Sequence, residues 1–557
     1  MTYWMKSIKK YGSLWLKPPT SWMLLAFLTI FVVGIGLRTY HFREWLHFGS
    51  DQARDAILVE RVVRGEQSWP LLGMEAGNTR FDLGPAYYYL QILSAKIFGA
   101  RPEAMAYPDV LLSILTLPLA YVLFRKLFDS TLSVVLTGLY AISFYVVEYS
   151  RFAWNPNVIP FFVGIFLLAL AEFLESQEQT KWRWVTTLGI VIGIGVQLHT
   201  ILLFLFPAVL LVVALFFLKK RSGVLLRVGA VLGIAFVLNV PQILSEIQTN
   251  GENTKLFLHA FTDRSQSGGS RFLESLETNI LCHTQANAHI LSGQGQHGVC
   301  NFPELLERPK RLFKTADRMM SFGGVMLSIV FSVVGYGLLI LGAMKETDPK
   351  QKIFFRVLTL YAGLSFVVLF SVIRDAPLRY FIHVTFIPLF LLGLLLVRMR
   401  ALFPRWYVPI GVLVCAGLAI SNGRVIAVEA KQLASGLRGD SGFVVLGEAE
   451  RMVDYMKKQS APWKEADLTG GTAYFSIYYK SLKYIAAREG FDIRFADRKN
   501  PPISNRPYFF IGNHSNPKKQ FDIEGYDLIN QRDFGNMGIY QLRSVQLRTE
   551  KQTSLSQ

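Results

Sequence analysis

Along its length the chain alternates long apolar runs with short basic or aromatic breaks. The runs fall at about 21–38, 106–124, 131–148, 157–175, 184–199, 201–218, 224–244, 320–343, 353–373, 380–397 and 406–421. Each approaches the ~18–20 residues that an α-helix needs to cross a bilayer. The pattern therefore predicts about eleven transmembrane helices. Two shorter helices are expected in the long first loop, about 39–104. One is Phe48–Gly65, where Ser50 or Asp51 can cap a new helix and Gly65 can end it. The other is about 81–99, with Pro85 near its first turn, where a missing N–H costs nothing. After about residue 423 the pattern changes. Short apolar runs, Gly442–Gly447, Thr472–Tyr479 and Pro507–His514, are separated by helical and Gly/Pro-rich pieces, which predicts a small soluble α/β domain. The expected fold is a polytopic α-helical membrane domain over 1–422 and an α/β domain over 423–557.

Composition agrees with the pattern. The 557 residues are 51% hydrophobic and only 18% charged, against roughly 25% charged in ordinary soluble domains. The net charge of +18 needs no nucleic-acid partner to explain it. Lys and Arg gather in the loops Arg125–Lys126, Lys181–Arg183, Lys219–Arg221, Lys345–Lys352 and Arg398–Arg405, all on the side of the basic amino end. That parity satisfies the positive-inside rule and puts the amino end in the cytoplasm. The other side, expected to face out of the cell membrane, receives residues 39–104, the Tyr149–Asn157 turn, His199, the loop 247–318, Arg374–Arg379 and the tail. The first run is long and no small-residue cleavage site follows it, so no cleavable signal peptide is expected.

This sorting collects the unusual polar residues on one side. Asp51 and Asp55 stand four apart on one helix face with Arg54 beside them, and Arg80, Asp82, Glu148, Arg151, His199, Arg374, Asp375 and Arg379 join them. Ionisable groups at a membrane boundary are costly unless paired or functional. Arg residues suit a phosphate, which they bind through parallel N–H bonds, while a carboxylate beside them suits proton removal from a hydroxyl. The blander reading makes Asp51 a capping residue on a solvated helix and each Arg a positional anchor. Tyr87 and Tyr88 are either interfacial belt residues or a surface on which a sugar stacks. Asn155 belongs to an aromatic turn that an interfacial belt also explains. His199, where two spans meet, is either an interhelical hydrogen-bonding group or a phosphate contact.

Three short motifs, D-Q-A-R-D-A at 51–56, G-P-A-Y-Y-Y at 84–89 and Arg379-Tyr380 before a span, resemble the GT-C superfamily of polyprenyl-phosphate-sugar glycosyltransferases. The branch most similar holds protein O-mannosyltransferases and lipid A aminoarabinose transferases, and the resemblance covers about 20–420. It implies a sugar transfer with inversion, from a polyprenyl-phosphate donor to a hydroxyl of a protein, lipid or glycan, on the outer face. It makes Asp51 the general base and puts Arg379 and Tyr380 near the carrier phosphate. Where the family has a second acid and a tyrosine, this chain has Gln52 and Asp55, so the base is Asp51 or is shared with Asp55. Gly84 replaces the family's basic residue before the proline. A carrier leaving as a phosphomonoester sets no strict need for a metal, so no cofactor is expected to be required, a divalent ion remaining an option.

Cys282 and Cys300 both fall in the outer loop 247–318, with His283, His289 and His297 nearby. A disulfide is the default there, a Cys/His zinc site the second reading. Cys415 sits inside a predicted span as a packing residue. Two other functions compete with a glycosyltransferase. A transporter would carry ionisable groups at mid-span and broken helices paired across repeats. A lipid-linked-glycan ligase or polymerase would share the outer Arg-rich site.

Overall fold

The computed structural model describes residues 21–77, 79–175, 181–217, 223–266, 272–294, 316–370, 378–438, 442–497, 506–513 and 526–544. The membrane part runs α1 (Ser21–Thr39), α2 (Ser50–Val63), α3 (Ala86–Phe98), α4 (Pro102–Phe124), α5 (Ser130–Ile142), α6 (Phe144–Glu148), α7 (Ile159–Glu175), α8 (Lys181–Leu198) and α9 (Thr200–Phe217). It continues with α10 (Val224–Leu238), α11 (Val240–Gln248), α12 (Glu252–Gln266), α13 (Phe272–Ser292), α14 (Ala316–Lys345), α15 (Pro349–Phe370), α16 (Ile387–Leu402) and α17 (Tyr407–Ala434). Each of the eleven long apolar runs read from the sequence falls largely on helix within the described residues. Among the described residues six helices are long and apolar enough to cross a bilayer, or up to eight if each of two bent pairs counts as one span, while Ser130–Ile142 and Thr200–Leu215 are apolar but shorter.

The breaks have local causes. The predicted run 131–148 divides at Ser143, whose hydroxyl donates to the Ile290 carbonyl at 2.6 Å, while the Phe144 N–H donates to Asn422 Oδ1 at 2.8 Å. The run 224–244 bends by 59° around Asn239, just before Pro241, which has no N–H to continue the ladder. Arg38 at the end of α1 is fully buried, donating to Ser113 Oγ and to the Gly34 and Ala141 carbonyls. It fixes the exit of the first span, and so the starting point of α2.

The largest departure from the sequence reading lies in 247–318. Its residues 272–292 form a helix, α13, packed into the bundle rather than a loop with little to fold around. Its polar side chains find partners on neighbouring helices: Asn279 donates to the Phe366 carbonyl at 2.9 Å and Asn287 to Ser332 Oγ at 3.0 Å. Hydropathy misses such a helix because its amides are satisfied sideways by other helices. Cys282 on α13 is buried and disulfide-bonded; Cys300 and His297 lie outside the described residues. Cys415 is a free thiol.

The helix that carries the expected domain boundary, α17, runs on to Ala434. Beyond it come α18 (Leu446–Ser460), β1 (Glu465–Gly470), α19 (Thr472–Arg488), β2 (Asp492–Phe495), β3 (Tyr508–Asn513), β4 (Tyr526–Phe534) and β5 (Met537–Ser544). They form a five-stranded sheet of order β2-β1-β3-β5-β4, with β1 parallel to β2 and β3 and β5 antiparallel to β3 and β4. The run Thr472–Tyr479 opens helix α19, and the run Pro507–His514 contains strand β3.

This domain is seated on α2. The Phe48 N–H donates to the Val444 carbonyl and the Leu446 N–H to the Leu46 carbonyl, both at 2.9 Å. Tyr484 packs on Phe48, and Arg488 pairs with Glu60 at 3.7 Å.

Candidate active site

The cap of helix α2 lies just before the Ser50 or Asp51 expected from sequence. Gly49 is the N-cap, and its N–H donates to Gln52 Oε1 at 3.1 Å. The Gln52 amide also donates to the Ala153 carbonyl at 3.1 Å, joining α2 to the aromatic turn. A carboxylate at position 52 has no N–H with which to do this. Ala53, Ala56, Val59 and Val62 bury the other face, and Gly65, with φ +76°, ends the helix.

The two acids on α2 have different surroundings. The Asp51 side chain is 65% exposed and lines a cavity; that of Asp55 is 4% exposed. Arg54 lies between them, donating from Nη1 to Asp51 at 3.1 Å and from Nε to Asp55 at 3.0 Å. The Tyr88 hydroxyl donates to the same Asp55 oxygen at 2.8 Å. Burial outweighs these donors and pushes Asp55 up to about 6. Burial, then the neighbouring carboxylate, raise Tyr88, which keeps its proton as the donor.

The cavity, of about 650 Å³, is lined by Asp51 and Arg54, by Glu75, Thr79 and Phe81 of a hairpin, by Trp154 and Asn155, by His199 and Thr200, by Phe204, Phe257 and Val368, and by Arg379 and Tyr380. The hairpin is closed by a Glu75–Asp82 bridge and tied to α12, where Asn253 exchanges two hydrogen bonds with the Asp82 backbone. Arg379 lies over the Trp154 ring at 5.4 Å, and among the described residues no carboxylate pairs with it. His199 stands edge-on to Tyr380 at 5.3 Å. Its Nδ1 accepts the Ile201 N–H at 3.1 Å, which leaves Nε2 to carry the proton of the neutral ring. The cavity thus offers one exposed carboxylate at α2, a cation without a carboxylate partner among the described residues, and a ring N–H.

Six of the residues expected from sequence converge here: Asp51, Arg54, Asn155, His199, Arg379 and Tyr380. The others point elsewhere. Tyr87 donates to Asp109 at 2.8 Å, and Tyr88 to Asp55. Arg151 donates to the Leu37 and Tyr40 carbonyls, both at 2.6 Å, and caps the end of α1. Arg80 adopts φ +60°, its N–H donating to Glu75 at 2.9 Å. Asp82 is raised by burial and by Glu75, and it meets α12 through its backbone. Arg374 and Asp375 lie outside the described residues. Glu75, Trp154 and Thr200 line the cavity without having been singled out. Glu75 follows no periodic pattern and enters only through the hairpin. Gly84 has a steric reason: a Cβ there would lie 2.4 Å from Gln197 Cγ.

Among the described residues no three His, Cys, Asp or Glu side chains are grouped to hold a metal ion. His283 packs against Phe366 and Phe381, and His289 against Tyr145.

Residues 82–244, under a third of the chain, match the model of the family described as dolichyl-phosphate-mannose-protein mannosyltransferase. No curated protein sequence matches the chain. Among solved structures it is similar to the archaeal oligosaccharyltransferase AglB from Archaeoglobus fulgidus, in complex with an inhibitory peptide and a dolichol-phosphate (TM-score 0.49, 13% identity). That similarity covers 85% of this chain and 64% of AglB, so the chain spans less than two thirds of that protein's length. It is also similar to ArnT from Cupriavidus metallidurans bound to undecaprenyl phosphate, with TM-score 0.48 and 12% identity over 94% of this chain and 98% of that one.

Proposed function

We propose that the chain is a membrane glycosyltransferase that moves a sugar from a polyprenyl-phosphate donor to an acceptor hydroxyl, with inversion, on the outer face of the membrane. The observation that carries this reading is Arg379. It is a cation without a carboxylate partner among the described residues, braced on Trp154, in the same cavity as the exposed Asp51. An unpaired guanidinium at a membrane boundary is stabilised by an anion, and a phosphate matches its fork of donors. Phe204, Phe257 and Val368 beside it offer apolar surface to the carrier chain.

In this reading Asp51 accepts the proton of the acceptor hydroxyl. The hydroxyl oxygen forms its bond to the anomeric carbon as the bond from that carbon to the phosphate oxygen breaks, and the lipid phosphate leaves with both electrons of that bond. Arg379 and the His199 Nε2–H stabilise the charge that develops on it. Asp55 is too enclosed to meet an acceptor. It holds Arg54, and through it Asp51, in place. The match of residues 82–244 to the mannosyltransferase family model supports the reading. A transporter is disfavoured because the charged cavity residues sit at the helix ends.

The test is chemical. Membrane and envelope extracts of a strain lacking the gene should accumulate a polyprenyl-phosphate sugar and lose one hexose or pentose from an acceptor, read by mass spectrometry. An unchanged inventory of both would contradict the proposal.

A further inference from the structure

Asp109 lies inside α4 and is fully buried, and among the described residues no cation pairs with it. An unpaired carboxylate at such depth is expensive to retain unless its oxygens are filled by donors. They are filled from two other elements. Tyr87 on α3 donates its hydroxyl to Oδ2 at 2.8 Å, and the Trp154 N–H donates to Oδ1 at 3.3 Å. The second of these donors belongs to the aromatic turn that ends at the start of α7.

That turn has two outputs into the cavity. The Trp154 indole underlies the Arg379 guanidinium at 5.4 Å. Asn155 donates to the Leu198 carbonyl at 2.5 Å, next to His199. The turn is extended at Trp154, with φ −161°, and precedes a short 3₁₀ segment; Gln52, which donates to the Ala153 carbonyl, and Asn157, which donates to the Phe152 carbonyl at 2.7 Å, tie its flanks, while Asp109 takes the N–H between them.

We propose that Asp109 is a positioning residue: with Tyr87 it clamps the Trp154–Asn157 turn so that the indole holds Arg379 where a lipid phosphate binds. This rests on the reading of Arg379 as the phosphate anchor. It also gives Tyr87 a role different from that of a sugar-stacking surface. The adjacent tyrosines each hold one carboxylate, Tyr87 behind the phosphate side of the cavity and Tyr88 behind the Asp51 side.

The experiment measures binding of undecaprenyl phosphate, and of undecaprenol as the phosphate-free control, to the purified full-length chain in detergent. Asp109→Asn and Tyr87→Phe are each expected to raise the Kd for undecaprenyl phosphate about tenfold, with undecaprenol binding unchanged. In an Arg379→Ala background, Asp109→Asn should add nothing further, because it acts through that guanidinium. If Asp109→Asn does not fold, Tyr87→Phe, which removes a single hydroxyl, makes the same comparison. Phosphate binding within about twofold of wild type in the folded variants, equal losses for both lipids, or losses that multiply with Arg379→Ala would overturn the proposal while leaving the anchor intact. An unchanged Kd in Arg379→Ala itself would overturn the anchor reading and this inference with it.

Discussion

Asp51 and Asp55 show how far one helical turn changes a carboxylate. The first faces a cavity; the second is enclosed, held by Arg54 and Tyr88 and pushed up to about 6 by burial. Because its value in the folded chain lies above the ordinary 3.8, the folded state keeps a proton that the unfolded chain has lost between these two values. The contribution of Asp55 to stability is therefore fully present below about pH 4 and is lost as pH rises to about 6, by about 3 kcal/mol at most. Asp55→Asn, which cannot titrate, should lack this fall. Wild-type apparent Tm should drop relative to the variant across that window, and parallel curves would refute the assignment. At this scale hydropathy, which marks where spans end, picked out Asp51, Arg54, His199 and Arg379 as boundary residues, and they line one cavity. It could not separate them from Arg80, Arg151, Tyr87 or Tyr88. All are polar residues at a boundary, and only the fold shows that Arg151 turns toward carbonyls and Tyr87 and Tyr88 toward carboxylates.

Elements are placed by close approaches that a linear pattern does not record. Gly84 stands where the loop after the hairpin passes Gln197, and that amide is not free to retreat. Gln197 Oε1 accepts the Ala86 N–H at 3.1 Å while Nε2 donates to the Gly193 and Leu238 carbonyls at 2.8 and 3.0 Å. Gly84→Ala should destabilise the fold by about 1–3 kcal/mol through overpacking, visible as a lowered Tm in detergent. An unchanged Tm would mean that the contact relaxes freely. The glycine that replaces a basic residue of the resembling family thus has a packing reason at this position. Helix α13 teaches the complementary lesson. Its sequence has the polarity of a loop, yet Asn279 finds its partner in the last turns of α15 and Asn287 on α14, so its burial depends on helices that follow later in the chain.

For the whole molecule, the apolar runs, the loops between them and the sheet-bearing tail were legible because each obeys a local period. The seating of the sheet domain on α2 was not, since it depends on backbone pairing between segments 46–48 and 444–446, nearly four hundred residues apart. That seating holds the carboxylate-bearing helix between bundle and tail, with its cavity side open. The account stands or falls on what Asp51 does there. The direct measurement is transfer by the purified, reconstituted chain, using the polyprenyl-phosphate sugar that accumulates in the deletion strain. Asp51→Asn should bind undecaprenyl phosphate as the wild type does and lose about 100-fold or more in turnover, as expected for loss of a general base. Turnover within about threefold of wild type, or its loss in Asp55→Asn alone, would contradict the account.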